Sequence, residues 1–146
     1  MIKIIEITEM SQQVYDTFSA LIPQLSTSAA VPTWEELEDM VHSKASIVLA
    51  AINSENKQEI LGSLTLVVFR IPTGIRAWIE DVIVDEKARG MGIGEMLVKT
   101  ALERAKAEGA KTVDLTSRPS REAANRLYQR CGFQARDTNI YRFKIE

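Results

Sequence analysis

Arg89-Gly90-Met91-Gly92-Ile93-Gly94 stands between a β-branched run that stops at Val84 and an apolar-striped run that starts at Ile93. Glycines at 90, 92 and 94 allow left-handed backbone angles and close ligand approach in the connection between that strand and helix. Several backbone N–H groups can converge there on one anion, helped by the positive end of the helix dipole. Arg89 adds a charge-assisted donor. The dinucleotide pattern G-x-G-x-x-G is absent, because its third glycine falls on Glu95 counted from Gly90 and on Leu97 counted from Gly92. A Walker loop is excluded for want of Gly-Lys-Ser/Thr. Read alone, the segment fits both an anion-binding turn and a tight connection with no ligand.

Downstream of it, Leu97, Val98, Ala101, Leu102 and Ala105 form one apolar face, while Glu95/Lys99 and Lys99/Glu103 pair at four-residue spacing on the other. This predicts a helix over residues 93–108, stopped by Gly109. Residues 111–116 then read as a strand, and 120–130 as a helix with Ala124, Leu127, Tyr128 and Cys131 on one side and Gly132 as its stop. The last stretch, 133–145, suits two short strands. Upstream, residues 47–52, 60–71 and 75–84 are β-branched runs joined by a polar turn at 53–58 and by Pro72-Thr73-Gly74, which predicts three consecutive antiparallel strands. The chain opens with a strand at 2–7 and a helix at 12–25. A second helix runs over 34–41, with Thr33 and Glu36 at capping-box spacing. The order β-α-α-β-β-β-α-β-α-β-β, with a strand-helix-strand crossover at its centre, predicts an α/β chain: a mixed, mostly antiparallel sheet with helices on both faces.

At 146 residues the chain is expected to form one domain, with no repeat, linker or low-complexity tract. A formal net charge of −2 and a pI near 5.6 provide no sequence-wide basic field, which argues against a nucleic acid partner. The single cysteine, Cys131, cannot form an internal disulfide. The lone histidine, His42, has no neighbours at metal-ligand spacing, so no metal is expected. No apolar run reaches the roughly 18–20 residues that cross a bilayer, and MIKIIEITEM lacks the layout of a signal peptide. The expectation is a cytoplasmic protein without a membrane partner.

The spacing Arg-x-x-Gly-x-Gly after a strand resembles the pyrophosphate-binding motif of the GNAT superfamily of N-acetyltransferases, which use acetyl-CoA. The resemblance continues through Ala124-Asn125-Arg126-Leu127-Tyr128-Gln129-Arg130-Cys131-Gly132-Phe133, similar to the family's second signature of a helical Tyr followed by Gly-Phe. Together the motifs cover residues 78–143. The run Ile79-Glu80-Asp81-Val82-Ile83-Val84 also looks like the matching strand of glucosamine-6-phosphate N-acetyltransferases within the superfamily.

The resemblance implies a GNAT-like fold and acetyl-CoA as co-substrate, held by Val82, Ile83, Val84, Arg89, Gly90, Met91, Gly92, Ile93 and Gly94. The acetyl group would pass directly to a primary amine. In the family the two strands around the cofactor splay apart, which leaves backbone groups of the first, here Val82 and Val84, to pair with the pantetheine arm. The Val84 N–H would polarise the thioester carbonyl. An aliphatic amine with a pKa of about 10.4 is mostly protonated at neutral pH, and exposing its lone pair costs roughly 4 to 5 kcal/mol, so a base is useful. Glu80 is the candidate, on the argument that strand alternation puts it on one face with Val82 and Val84 and sends Asp81 to the other, unless a bulge reverses the sense. The alternative for Glu80 is a salt-bridged or solvated strand residue.

Tyr128 resembles the family's general acid. Its free pKa of about 10 exceeds the thiol's 8.5 or so, which favours hydrogen bonding over full proton transfer. The alternative is a core aromatic. Many family members carry Asn seven residues before this Tyr, whereas here the position is Arg121. Asn125 is the candidate to take over that contact, with Arg121 or Arg130 meeting a phosphate. Cys131 reads as a small buried apolar residue, since direct transfer needs no thiol nucleophile. Glu35, Glu36, Glu38 and Asp39 would favour a cationic amine or form a solvated helix face. A small-molecule acceptor is favoured, with a protein amine the other option. A non-catalytic acyl-CoA-binding domain is the competing reading, and the family's frequent dimers put a homodimer among the expectations.

Overall fold

The computed structural model describes residues 1–56 and 59–146 and divides them into two compact units, 1–116 and 117–146. The expected polar turn at 53–58 includes Lys57 and Gln58, which lie outside the described residues.

The first unit holds five strands and three helices: β1 Ile2–Ile7, α1 Gln12–Leu25, α2 Trp34–His42, β2 Ser46–Asn53, β3 Glu59–Ile71, β4 Gly74–Val84, α3 Ile93–Ala107 and β5 Thr112–Asp114. A short 3-10 turn, Glu86–Ala88, separates β4 from the glycine segment. The strands lie in sequence order, antiparallel from β1 to β4 and parallel between β4 and β5. Short connections force the antiparallel pairs β2–β3 and β3–β4, α1 and α2 lie between β1 and β2, and the parallel step needs the long crossover that α3 provides. The expected strand at 111–116 is shorter, covering only Thr112–Asp114.

Side chains directly opposite across a sheet share a face, so the register assigns the two faces. One row runs Ile7, Val48, Thr65, Glu80. Ile7 and Val48 belong to the core that Val14 and Phe18 of α1 and Leu37 and Val41 of α2 complete. The adjacent row on the other face runs Glu6, Leu49, Leu64. Glu6 pairs there with Arg104 of α3, which fixes α3 to that side. Leu64, Leu66, Leu97, Val98 and Ala101 are almost completely buried. The expected sandwich of helices on both faces of a mixed sheet is therefore the observed architecture.

Local chemistry sets the helix ends. The Ser11 hydroxyl accepts from the Val14 N–H at the start of α1. Thr33 and Glu36 form the full capping box of α2, with bonds of 3.1 and 2.9 Å. At the end of α3, left-handed Gly109 donates to the Lys106 carbonyl and Ala110 to the Ala105 carbonyl, the double bond of a Schellman stop.

The second unit holds one helix, α4 Glu122–Arg130, closed by the same stop: Gly132 donates to the Gln129 carbonyl and Phe133 to the Tyr128 carbonyl. Residues 134–146 form no strand, which corrects the expectation of two short strands over 133–145. The alternation of Tyr141, Phe143 and Ile145 suits a strand, but a strand is defined by its neighbour, and no partner backbone pairs with this segment among the described residues.

Candidate functional site

The pairing of β4 with β5 stops early. Arg76, Ala77 and Trp78 face Thr112, Val113 and Asp114, and among the described residues no strand flanks 79–84 on that side. The Asp85 N–H donates to the Leu61 carbonyl at 2.8 Å, so Asp85 and Leu61 form a hydrogen-bonded pair. The antiparallel alternation then makes Val84 and Gly62 a non-hydrogen-bonded pair, with the Val84 N–H and C=O directed away from β3, toward the open edge.

Alternation fails between Glu80 and Val84. Thr65 faces Glu80 and Ser63 faces Ile83, so two residues of β4, Asp81 and Val82, stand against Leu64 alone. This is a β-bulge, and Asp81 takes the left-handed φ of 48° within it. Glu80 accordingly shares a face with Ile83, the face of α1 and α2, whereas Val84 opposes Gly62 on the α3 face. The sequence argument that Glu80, Val82 and Val84 share one face is corrected by that extra residue. Glu80 and Asp81 are exposed, Val82 and Val84 half-buried and Ile83 buried. The Glu80 carboxylate has no ion pair or hydrogen bond among the described residues, which removes the salt-bridged alternative and leaves a solvated one.

The chain leaves β4 through Asp85, whose carboxylate accepts from the Lys87 N–H, and enters the glycine segment. Gly90 and Gly92 adopt φ of 83° and 76°, and neither would bring a Cβ within 4 Å of other atoms, so their glycines answer to backbone conformation and not to crowding. Gly94 lies inside the first turn of α3 with ordinary helical angles, so of the three glycines that allow left-handed angles only Gly90 and Gly92 use them. Gly92 caps α3 without any side-chain bond. Among the described residues the N–H groups of Gly90, Met91, Gly92, Ile93 and Gly94 have no protein acceptor. Arg89 and Met91 are exposed, while Ile93 is buried and anchors the turn. Arg89 is exposed and has no ion-pair partner among the described residues, which leaves its positive charge free beside these N–H groups.

Two supports escaped the sequence reading. Gly62 lets β4 and α3 approach: a Cβ there would lie 2.8 Å from the Ile83 carbonyl oxygen and 3.3 Å from Ile93 Cγ2. Gln24, in the last turn of α1, accepts from the Glu86 N–H at 2.9 Å and ties that helix to the start of the 3-10 turn. Neither carries a local signal, because each acts on residues more than twenty positions away.

In the second unit Tyr128 is buried, and its ring meets Phe133 edge-on at 5.9 Å and 65°. Phe133 follows the left-handed Gly132, so the Tyr-x-x-x-Gly-Phe pattern is the helix stop with its usual apolar contact, and it fixes the tyrosine ring. Burial pushes the Tyr128 hydroxyl above its ordinary pKa, a shift opposed by the Arg121 charge. The hydroxyl makes no hydrogen bond among the described residues. Asn125 donates from Nδ2 to the Arg118 carbonyl at 3.0 Å, so half of its amide holds the turn ahead of α4. Cys131, expected buried, is half-buried.

Among the described residues no cluster of His, Cys, Asp and Glu could hold a metal, and no helix is long and apolar enough to cross a membrane. The chain is 34% identical over 62 residues to a glucosamine 6-phosphate N-acetyltransferase from Oryza sativa subsp. japonica. That match covers 42% of this chain and only 36% of the relative's length. Among solved structures, a transcriptional regulator from Bacillus halodurans C-125 is 27% identical with a TM-score of 0.82, covering 99% of this chain and 100% of the other. An aminoglycoside acetyltransferase from an uncultured soil metagenomic sample shares the fold at 19% identity, with a TM-score of 0.84 and coverage of 99% and 96%. The model of the acetyltransferase (GNAT) family matches residues 11–133, and the chain belongs to that family.

Proposed function

We propose that the protein is an acetyl-CoA-dependent N-acetyltransferase that acts as one domain in the cytoplasm and transfers acetyl directly to a primary amine of a small molecule. The observation that carries this reading is the open edge of β4 running into a turn with five N–H groups that have no acceptor among the described residues, a backbone suited to a pantetheine arm and a pyrophosphate. Acetyl-CoA would supply the activated acetyl thioester. Val84 would donate its outward N–H to the carbonyl oxygen where charge develops. Gly90 to Gly94 and Arg89 would neutralise the pyrophosphate.

Glu80 would accept the proton of the incoming ammonium, for which an unpaired, solvated carboxylate on the α1 and α2 face is suited. Tyr128 would donate a hydrogen bond to the departing sulfur. Its raised pKa keeps the hydroxyl protonated through neutral pH and widens the gap to a thiol of about 8.5, which favours a hydrogen bond over proton transfer. Asn125, with its Oδ1 uncommitted, would contribute to the same region of the donor.

An amino sugar or a polyamine is the proposed acceptor class. The names of the rice relative and of the soil aminoglycoside enzyme support amino sugars. Residues 1–116 also carry 17 Asp and Glu against 11 Lys and Arg, with Glu35, Glu38 and Asp39 exposed on α2, which favours a cationic acceptor. The test is release of free thiol from acetyl-CoA with a panel of amino sugars, aminoglycosides, polyamines and peptides. Saturable CoA binding without turnover on any of them would replace the enzyme by a non-catalytic acyl-CoA-binding domain.

A further inference from the structure

The last turn of α1 is weakened from within and held from outside. Pro23 lies inside the helix and has no N–H, so the Ser19 carbonyl four residues earlier loses its usual intrahelical donor. Gln24 follows directly, and its Oε1 accepts from the Glu86 N–H at 2.9 Å. Glu86 opens the 3-10 turn, where a backbone N–H has no acceptor within the turn itself, so the Gln24 amide caps that turn from another element. Inside the turn the Ala88 N–H donates to the Asp85 carbonyl at 2.9 Å and the Arg89 N–H to the Glu86 carbonyl at 3.4 Å. The segment from Arg89 to Gly94 begins where those bonds end.

The other end of the link runs into the connection between α1 and α2. The Ser26 N–H donates to the Ile22 carbonyl at 3.0 Å, and the Ser26 hydroxyl accepts from the Ala29 N–H at 3.2 Å, so the start of the connection is built on the last turn of α1. Residues 27–31 are exposed. Glu80 lies on the sheet face that α1 and α2 cover, so an amine that reaches its carboxylate arrives on their side. One side-chain hydrogen bond therefore joins the entrance of the donor turn to the acceptor side of the sheet.

We propose that Gln24 is a positioning residue that couples the donor turn to the connection between α1 and α2, an inference that rests on the acetyl-CoA reading. Cofactor held at Arg89 to Gly94 would steady the 3-10 turn, and Gln24 would pass that restraint to the last turn of α1 and to residues 26–31. The amine then meets a side of the sheet that is already ordered. Binding of the two substrates becomes synergistic, by the same factor whichever binds first.

Amide hydrogen exchange on the full chain, with and without CoA, tests this. CoA should slow exchange at 86–94 and, over the same titration, at 24–31. In Gln24→Ala the slowing at 89–94 should remain, while that at 24–31 should shrink at least about fivefold, the low end of couplings between sites. Alanine is the better helix former, so the substitution does not weaken α1 itself. Gln24→Glu keeps an oxygen for the Glu86 N–H and should restore the response at 24–31. Slowing at 89–94 with none at 24–31 in the parent overturns the proposal and leaves the CoA site standing. An equal response at 24–31 in the parent and Gln24→Ala, or no recovery in Gln24→Glu, does the same. No slowing at 89–94 in the parent overturns the CoA site, and this coupling with it.

Discussion

Replacing Gly62 by alanine tests the packing that seats the glycine segment. The new Cβ would lie 2.8 Å from the Ile83 carbonyl oxygen, about 0.5 Å or more inside an ordinary C···O contact of 3.3–3.6 Å, and 3.4 Å from Val84 Cα. The oxygen belongs to the backbone of β4, beside the bulge, so relief requires β3 and β4 to separate, and Ile93 Cγ2 at 3.3 Å blocks escape toward α3. Overpacking of this kind costs about 1–3 kcal/mol. Alanine recovers about 0.4–1 kcal/mol by stiffening the unfolded chain. The net expectation is a loss of about 1–2 kcal/mol in urea unfolding followed by Trp34 and Trp78 fluorescence, together with weaker CoA binding in calorimetry, because the shift falls on Ile83 and Val84. A variant as stable as the parent or more so, with unchanged CoA affinity, would refute the reasoning. Gly92→Ala supplies the contrast: it meets nothing within 4 Å but must hold φ near 76°, so its cost of about 1–2 kcal/mol would come from backbone strain alone.

Glu80→Gln should depress turnover most at pH values below the pKa of the acceptor amine, and an equal loss at every pH would sink the base role. Tyr128→Phe should reduce turnover more than CoA affinity; unchanged turnover would mean that the hydroxyl does not assist the leaving group. The same residue governs alkaline stability. Its folded pKa lies above the unfolded value of about 10, so its contribution is fully present below pH 10 or so and is lost as pH rises through the higher folded value. Urea midpoints measured above pH 10 should therefore fall less steeply in Tyr128→Phe than in the parent. Thr33→Ala removes one half of the capping box and should cost about 1 kcal/mol in the same unfolding assay, with no effect on CoA binding.

The sequence by itself determined the elements whose cause is local. The apolar stripe of α3, the Thr33 and Glu36 box, the left-handed stops at Gly109 and Gly132 and the alternation of β2 to β4 all depend on residues within a turn or a hairpin of one another. The left-handed turn at Gly90 and Gly92 was legible for the same reason, since glycine at a left-handed φ leaves a mark on the sequence. The tertiary structure alone decided three things. The bulge at Asp81 and Val82 moved Glu80 to the face opposite Val84, and a register shift is a relation between two strands that neither strand encodes. Gly62 became necessary only because β4 and α3 converge on it from distant parts of the chain. Residues 139–145 carry the pattern of a strand, but a strand exists only when another backbone satisfies its N–H and C=O groups, and that partner lies outside the pattern itself.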